Sequence, residues 1–421
     1  MVSAACVNLS IPPSRLCRAT VPQFNGAAPC GVPLPKKGLA KSISFPLSIY
    51  IEVIGLGKYK VCVYAICKNE AKFARRWMES MREADWVCAL DTGSTDGTPE
   101  LLERLGAIVA EKTIDPWRFD VARNEAMKLI PPQADICVST DLDEAFTPGW
   151  REALEAAWTD DATQARYRYT WNFLPDGSEG VVFWPDKIHR NGGFVWKHPV
   201  HEILSYQGPL PQKTVTCEGV QLNHRADREK SRGQYLPLLE LSVREDPDDD
   251  RNMHYLGREY FFYGRWKDCV ETLKRHLALP RATWADERCA SMRYIAMALE
   301  HLGEMKEAER WFYRAIGEAP YLREPWVNLA RFLYQRQDWP GVAYMTHRAL
   351  QIQTRPGSYI NDAGSWGTLP WDLASIALYH LGCYEKSAYM AQEALRLAPS
   401  DARIRENLRL IRERAEETAR E

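Results

Sequence analysis

Trp86-Val87-Cys88-Ala89-Leu90-Asp91-Thr92-Gly93-Ser94-Thr95-Asp96-Gly97-Thr98 is an apolar run that breaks into an acidic, glycine-containing turn. Further on, Ile136-Cys137-Val138-Ser139-Thr140 breaks in the same way into Asp141-Leu142-Asp143. In an open α/β sheet, ligands bind outside the carboxyl ends of the strands, so polar residues placed just after two buried strands converge on one crevice. Working outward, Lys60 to Ile66 predicts a first strand, followed by Lys68-Asn69-Glu70 and an amphipathic helix from Ala71 to Met81. Thr98 is expected to cap a helix with Pro99 at its first position. Ile108-Val109-Ala110 reads as a third short strand and Ile136 to Thr140 as a fourth. Strands alternating with helices imply βαβ units and an α/β fold with a mainly parallel sheet.

The 421 residues, 45% apolar and 26% charged, describe a globular chain of two or three domains. A net charge of -2 gives no electrostatic ground for nucleic acid or an anionic membrane as partner. The 15 Trp and 19 Tyr suit helical-repeat packing or sugar stacking. The Cys form no CxxC pair, and Cys62, Cys88 and Cys137 lie inside apolar runs, which reads as reduced, buried thiols in a cytoplasmic protein. No transmembrane segment is expected, since Ile43 to Leu56 falls short of the roughly 20 apolar residues a span needs. Residues 1–58 have no acid before Glu52 and are rich in Pro, Ser and Ala. They read as a disordered or non-native extension from an upstream start, and a transit segment has the same look.

The α/β pattern covers residues 59–235; from 236 to 421 the pattern is helix after helix, past the acidic linker Arg244-Glu245-Asp246-Pro247-Asp248-Asp249-Asp250. Tyr263-Gly264-Arg265-Trp266, Leu302-Gly303-Glu304-Met305, Arg336-Gln337-Asp338-Trp339 and Leu381-Gly382-Cys383-Tyr384 each look like a joint between two helices. The middle pair is spaced at about 34 residues, so this portion resembles tetratricopeptide repeats. About four stacked pairs would form one core, closed by a polar terminal helix from Ser400 onward. A groove for a protein or peptide partner is the sharper reading of the same helices.

Lys68-Asn69-Glu70, the Asp91 to Gly97 turn and Asp141-Leu142-Asp143 resemble glycosyltransferase family 2, whose catalytic domain has the nucleotide-sugar-binding GT-A fold. Trp117-Arg118-Phe119-Asp120-Val121-Ala122-Arg123-Asn124-Glu125 is similar to a segment of bacterial members that carry tetratricopeptide repeats after the catalytic domain. The resemblance implies a metal-dependent, inverting transfer of a sugar from a nucleotide-sugar donor to a saccharide, lipid or peptide/protein acceptor. The departing nucleoside diphosphate needs its growing charge neutralised, for which carboxylates suit Mn²⁺ or Mg²⁺. It implies Asp143 as metal ligand, Asp141 at ribose or metal, and His224 completing the metal or diphosphate site. Asp91, Gly93, Ser94 and Asp96 would hold the nucleoside, with Ala65, Lys68 and Glu70 lining the same pocket. Arg123 and Asn124 would meet the diphosphate. Inversion requires a carboxylate base to deprotonate the acceptor. Glu202, in Phe194-Val195-Trp196-Lys197-His198-Pro199-Val200-His201-Glu202, is the first candidate, with His201 orienting acceptor or base and Asp186 as runner-up. Lys230 and Arg232 could close over the diphosphate.

Two other classes compete. A tetratricopeptide adaptor with a non-catalytic nucleotide-sugar-binding domain would not need the carboxylates Asp91, Asp141 and Asp143. A nucleotidyltransferase would favour a glycine-rich phosphate loop, and neither GxxxxGK[ST] nor GxGxxG occurs.

Overall fold

The computed structural model describes residues 57–174, 177–225 and 233–420. The reading of the extension up to residue 56, and of Lys230 and Arg232, lies outside the described residues.

The first half runs β1 (Val61–Cys67), α1 (Ala71–Met81), β2 (Trp86–Asp91), α2 (Thr98–Arg104), β3 (Ile108–Glu111), α3 (Phe119–Met127), β4 (Ile136–Thr140), β5 (Glu144–Phe146) and α4 (Trp150–Ala157). It continues through β6 (Gln164–Thr170), β7 (Val182–Phe183), β8 (Ile188–Arg190), β9 (Phe194–Lys197), β10 (Ile203–Tyr206) and β11 (Thr214–His224). The main sheet is ordered β3-β2-β1-β4-β8-β6-β11-β5, with β7 beside β6, and β9 and β10 form a separate ribbon. The four strands β3, β2, β1 and β4 are parallel. Beyond them the sheet is mixed, because β8 inserts antiparallel between β4 and β6. Every residue of β1 is buried, as a central strand covered on both faces requires. Alternate β1 residues feed two cores, Val61, Val63, Ala65 and Cys67 on the α1 side and Cys62, Tyr64 and Ile66 on the α3 side.

The cap of α2 is Gly97 at φ 79, and Thr98 is already helical. The hydroxyl expected to cap α2 instead links two helix starts. Thr98 Oγ1 accepts from Glu70 N at 2.9 Å and donates to Asp96, tying the start of α1 to that of α2.

The second half is helical: α5 (Tyr235–Glu245), α6 (Asp250–Phe262), α7 (Trp266–Ala278), α8 (Ala285–His301), α9 (Met305–Glu318), α10 (Arg323–Gln335), α11 (Trp339–Gln351), α12 (Ala363–Trp366), α13 (Leu369–His380), α14 (Tyr384–Leu397) and α15 (Ala402–Arg420). The pairs α6/α7, α8/α9, α10/α11 and α13/α14 share one joint geometry. Arg265, Glu304, Asp338 and Cys383 donate their backbone N–H to Tyr260, Leu299, Leu333 and Leu378 at 2.9–3.1 Å. This is the Schellman closure, whose left-handed residue is Gly264, Gly303, Gln337 and Gly382 in turn. The repeat core is continuous and takes in Val200, Trp117 and Phe119 from the first half. Arg118–Glu245 at 2.6 Å and His198–Asp249 at 3.2 Å reinforce that junction. No helix among the described residues is long and apolar enough to cross a membrane.

Candidate functional site

Both acidic turns sit at the carboxyl edge of the parallel strands. Asp91 pairs with Cys67 at the end of β1, and Thr140 pairs with Ala65 on its other side. Asp91 and Asp141 are therefore two strand spacings apart, about 10 Å.

The second turn forms the centre of the site. Asp143 Oδ2 lies 3.2 Å from His224 Nε2, at the end of β11. The other ring nitrogen of His224 donates to the Trp171 carbonyl at 2.8 Å, which leaves Nε2 as the atom facing the carboxylate. Burial would lower the His224 pKa, but the Asp143 hydrogen bond and charge outweigh it and raise it to about 9. The raised value keeps His224 protonated at neutral pH. Trp171 lies against His224 at 4.6 Å and is 49% exposed. Glu144, next in sequence, is fully buried, accepting from Asp141 N at 2.9 Å and from the Tyr169 hydroxyl at 2.6 Å. Burial, then the charge of Asp141, push its pKa up.

Arg123, on α3, has a side chain only 4% exposed. It donates to Asp141 Oδ1 at 2.8 Å, to Glu202 Oε1, and to the Ser139 hydroxyl at 3.4 Å. One guanidinium thus spans the strand-edge carboxylate and the candidate base. It lies over the Trp196 ring at 5.2 Å. Trp196 is fixed in turn, its backbone by Asn124 through two 2.9 Å bonds and its indole N–H by the Tyr64 hydroxyl at 3.0 Å. Tyr64 in turn meets His189 Nε2 at 2.9 Å.

The first turn is knit internally. Asp91 Oδ1 accepts from Gly93 N and Ser94 N, both at 2.8 Å, and Oδ2 from the Ser94 hydroxyl. Asn69, at φ 56, accepts from Thr95 N at 2.7 Å. Gly93 adopts φ 107, a conformation only glycine takes cheaply. Lys68 is exposed at the rim and Glu70 is buried behind it.

Several residues expected at the ligand are tied into the scaffold. Ala65 is 1% exposed in the core facing α1, because strand alternation turns it to that face of the sheet. Asp91 and Asp96 shape their loop; Asp96 accepts from Ala71 N and Thr98 N at 3.1 Å. Asn124 holds Trp196, and Arg123 is a buried strut between Asp141 and Glu202. His201, at φ 50, turns into the repeats and stacks on Tyr255 at 3.9 Å. Asp186 is half exposed, 3.9 Å from Arg166. Asp141 Oδ1 is held by Arg123 at 2.8 Å. Glu144, Ser139, Tyr169 and Trp171 escaped the sequence reading; only Glu144, adjoining the acidic turn, carried a signal there.

A carboxylate and an imidazole present an oxygen and a nitrogen, a donor set that suits Mn²⁺ better than the all-oxygen preference of Mg²⁺. Among the described residues no group of three His, Cys, Asp or Glu that could hold a metal ion occurs, and Asp143 with His224 is a pair. The remaining positions would fall to substrate oxygens and water.

A mixed α/β sheet with an acidic strand-edge site, joined to a helical-repeat array, is the class that these observations define. Residues 62–208 match the family model for Glycosyl transferase family 2, so the chain carries a domain of that family. A TPR repeat-containing protein of Synechococcus elongatus is 25% identical over 315 residues, 69% of this chain and 75% of that protein. Among solved structures, a crystal structure of MamA is 14% identical at a TM-score of 0.33, covering 40% of this chain and 88% of MamA. Yeast Tom70 is 15% identical at a TM-score of 0.34, over 45% of this chain and 37% of Tom70.

Proposed function

We propose that the chain is a metal-dependent, inverting glycosyltransferase that moves a sugar from a nucleotide-sugar donor to an acceptor hydroxyl. The observation that carries this reading is the strand-edge chain Asp141–Arg123–Glu202 beside the Asp143–His224 pair. Asp143 Oδ2 and His224 Nε2 would hold the divalent ion, once His224 gives up its proton. The ion, when bound, supplies Lewis-acid neutralisation of the leaving diphosphate. Glu202 takes the acceptor proton as the acceptor oxygen forms its bond to the anomeric carbon and the nucleoside diphosphate departs with the bonding pair. Arg123 positions Glu202 and Asp141 together, and Trp196 keeps Arg123 in place. Trp171, exposed against His224, offers a face on which a sugar or base can stack.

The test is incubation with UDP-, GDP- and dTDP-sugars and Mn²⁺, reading nucleoside diphosphate release. Release that needs the metal supports the transferase. Absence of both release and donor binding would favour an adaptor, a reading with which the TPR repeat-containing relative is compatible.

A further inference from the structure

Residues 352–368 separate α11 from α13, where 279–284 and 319–322 suffice between the earlier repeats. Ordering so long a connection costs chain entropy that its contacts must offset. The segment crosses the first helices of three repeats. Tyr359 meets α6 and α8, and Asp362 N and the Trp366 indole N–H both donate to Glu324 Oε1 on α10, at 3.3 and 2.9 Å.

Tyr359 also joins the segment to the first half. Its hydroxyl donates to Glu287, a carboxylate on α8 that is 3% exposed. Its ring stacks on Tyr255 at 5.7 Å and meets Phe183, of β7, edge-on at 6.4 Å. Each of those two rings begins an arm that ends in the candidate site. On one side Tyr255 carries His201 at 3.9 Å, Arg251 donates to the His201 carbonyl at 2.8 Å, and the next residue is Glu202. On the other side Phe183 packs on Tyr169 at 5.1 Å across the β6–β7 pairing. Tyr169 in turn donates to Glu144 and lies 6.4 Å from the His224 ring. Gly357 approaches the same arm so closely that a Cβ there would lie 3.3 Å from the indole of Trp184.

Both arms are slight. β7 has two residues, and β9 and β10, of four residues each, pair with each other and with no further strand among the described residues. A two-stranded ribbon is marginal alone and takes its placement from what packs on it. We propose that Tyr359 is a positioning residue: its ring, anchored in the repeats by Glu287, braces Tyr255 against Phe183 and so sets the Glu202 arm relative to the Asp143–His224 arm. The consequence for catalysis rests on the transferase reading; the brace itself does not.

Three variants of the full chain test this. Tyr359→Ala removes the ring, Tyr359→Phe keeps it and loses only the hydroxyl bond, and Trp366→Phe breaks the segment's indole bond to Glu324, which belongs to neither arm. Hydrogen exchange needs no substrate. Tyr359→Ala should speed exchange about tenfold or more in the β9–β10 ribbon and in the β6–β7 pairing while β1 and β2 keep their protection. Tyr359→Phe should stay within a few-fold of the unaltered chain, and Trp366→Phe should leave both arms as they are. With the donor sugar nucleotide that the unaltered chain turns over, and water as acceptor, nucleoside diphosphate release should follow the same order. Its kcat should fall about tenfold in Tyr359→Ala, by more than donor KM changes, and recover in Tyr359→Phe. Unchanged exchange in either arm, an equal effect of Trp366→Phe, a Tyr359→Phe as impaired as Tyr359→Ala, or an undiminished kcat would overturn the proposal. Should Tyr359→Ala fail to fold, Tyr359→Leu, which fills space without the ring faces, takes its place in each measurement. If exchange responds as described while even the unaltered chain releases no nucleoside diphosphate, the transferase reading falls and the brace stands.

Discussion

Asp143 and His224 are far apart in sequence and meet at 3.2 Å because β4 and β11 end at the same edge of one sheet. Asp143→Asn keeps the shape and the hydrogen bond to His224 but removes the charge that a divalent ion needs. Nucleoside diphosphate release should fall on the order of a hundredfold or more, while the helical circular-dichroism signal stays in place. Release at the unaltered rate would end the metal assignment. Glu202→Gln should lower kcat by about 10²–10⁴-fold with the donor KM little changed, measured under saturating acceptor. A kcat within a few-fold of the parent chain would move the base elsewhere. The acidic turns were legible because each follows a buried apolar run, which fixes where a strand ends whatever its partners are. Arg123 was legible as a site residue but not as a strut, because its partners Asp141 and Glu202 are set by the packing of α3 against the sheet. The split between His201 and Glu202 was not legible either. A single left-handed residue, His201 at φ 50, sends one side chain to Tyr255 and leaves its neighbour at Arg123.

At the scale of the element, the helix joints show how a local rule becomes a fold. The sequence joints at Gly264, Gly303 and Gly382 end α6, α8 and α13 in the left-handed conformation that glycine takes without strain. The third joint places Gln337 there at φ 57. The two kinds of joint should respond to substitution with opposite sign. Gly303→Ala should lower stability by about 1 kcal/mol, and Gln337→Gly should raise it or leave it level, since the strain relieved at φ > 0 is about 1–2 kcal/mol against a glycine entropy cost of about 0.5–1. Urea midpoints at constant slope measure both. A stabilising Gly303→Ala would contradict the joint geometry. Repeats were readable because each joint is closed within six residues. The mixed character of the sheet was not, because β8 is three residues long and its place between β4 and β6 depends on non-local pairing. Ile188-His189-Arg190 carries no periodicity from which such a strand could be read.

Across the whole molecule, the two halves share a core, since Val200, Trp117 and Phe119 pack with the repeat helices. Each half also buries a histidine that its surroundings keep neutral. Burial lowers the pKa of His189, in β8, to about 4, and that of His254, in α6, to about 3. Both folded values lie below the unfolded value of about 6.5, so their contribution is complete above that pH. As pH falls below it, the unfolded chain takes up two protons that the folded chain refuses, and stability declines with a slope of more than about 1 kcal/mol per pH unit for each histidine. His224 does not blur this window. Its folded pKa is raised to about 9, so its contribution is complete below the unfolded value and is lost only as pH rises through 9. Glu287 adds its own loss lower down: burial would raise its pKa, but His276, His254 and Tyr359 bring it to about 2. Burial also lowers the pKa of His380, which adds to the decline, and raises those of Glu144 and Asp372, which oppose it, so the slope in this window is the balance of these groups. Urea midpoints should fall steadily through that window, and hydrogen exchange in the β4–β8 strands should lose protection together with the helices of the repeats, because the shared core couples them. His254→Gln should make the slope less steep in both halves at once, by up to about 1 kcal/mol per pH unit. An unchanged slope in His254→Gln would remove that neutral buried histidine, and strands that keep their protection while the repeats melt would show that the shared core does not bind the two halves into one cooperative unit.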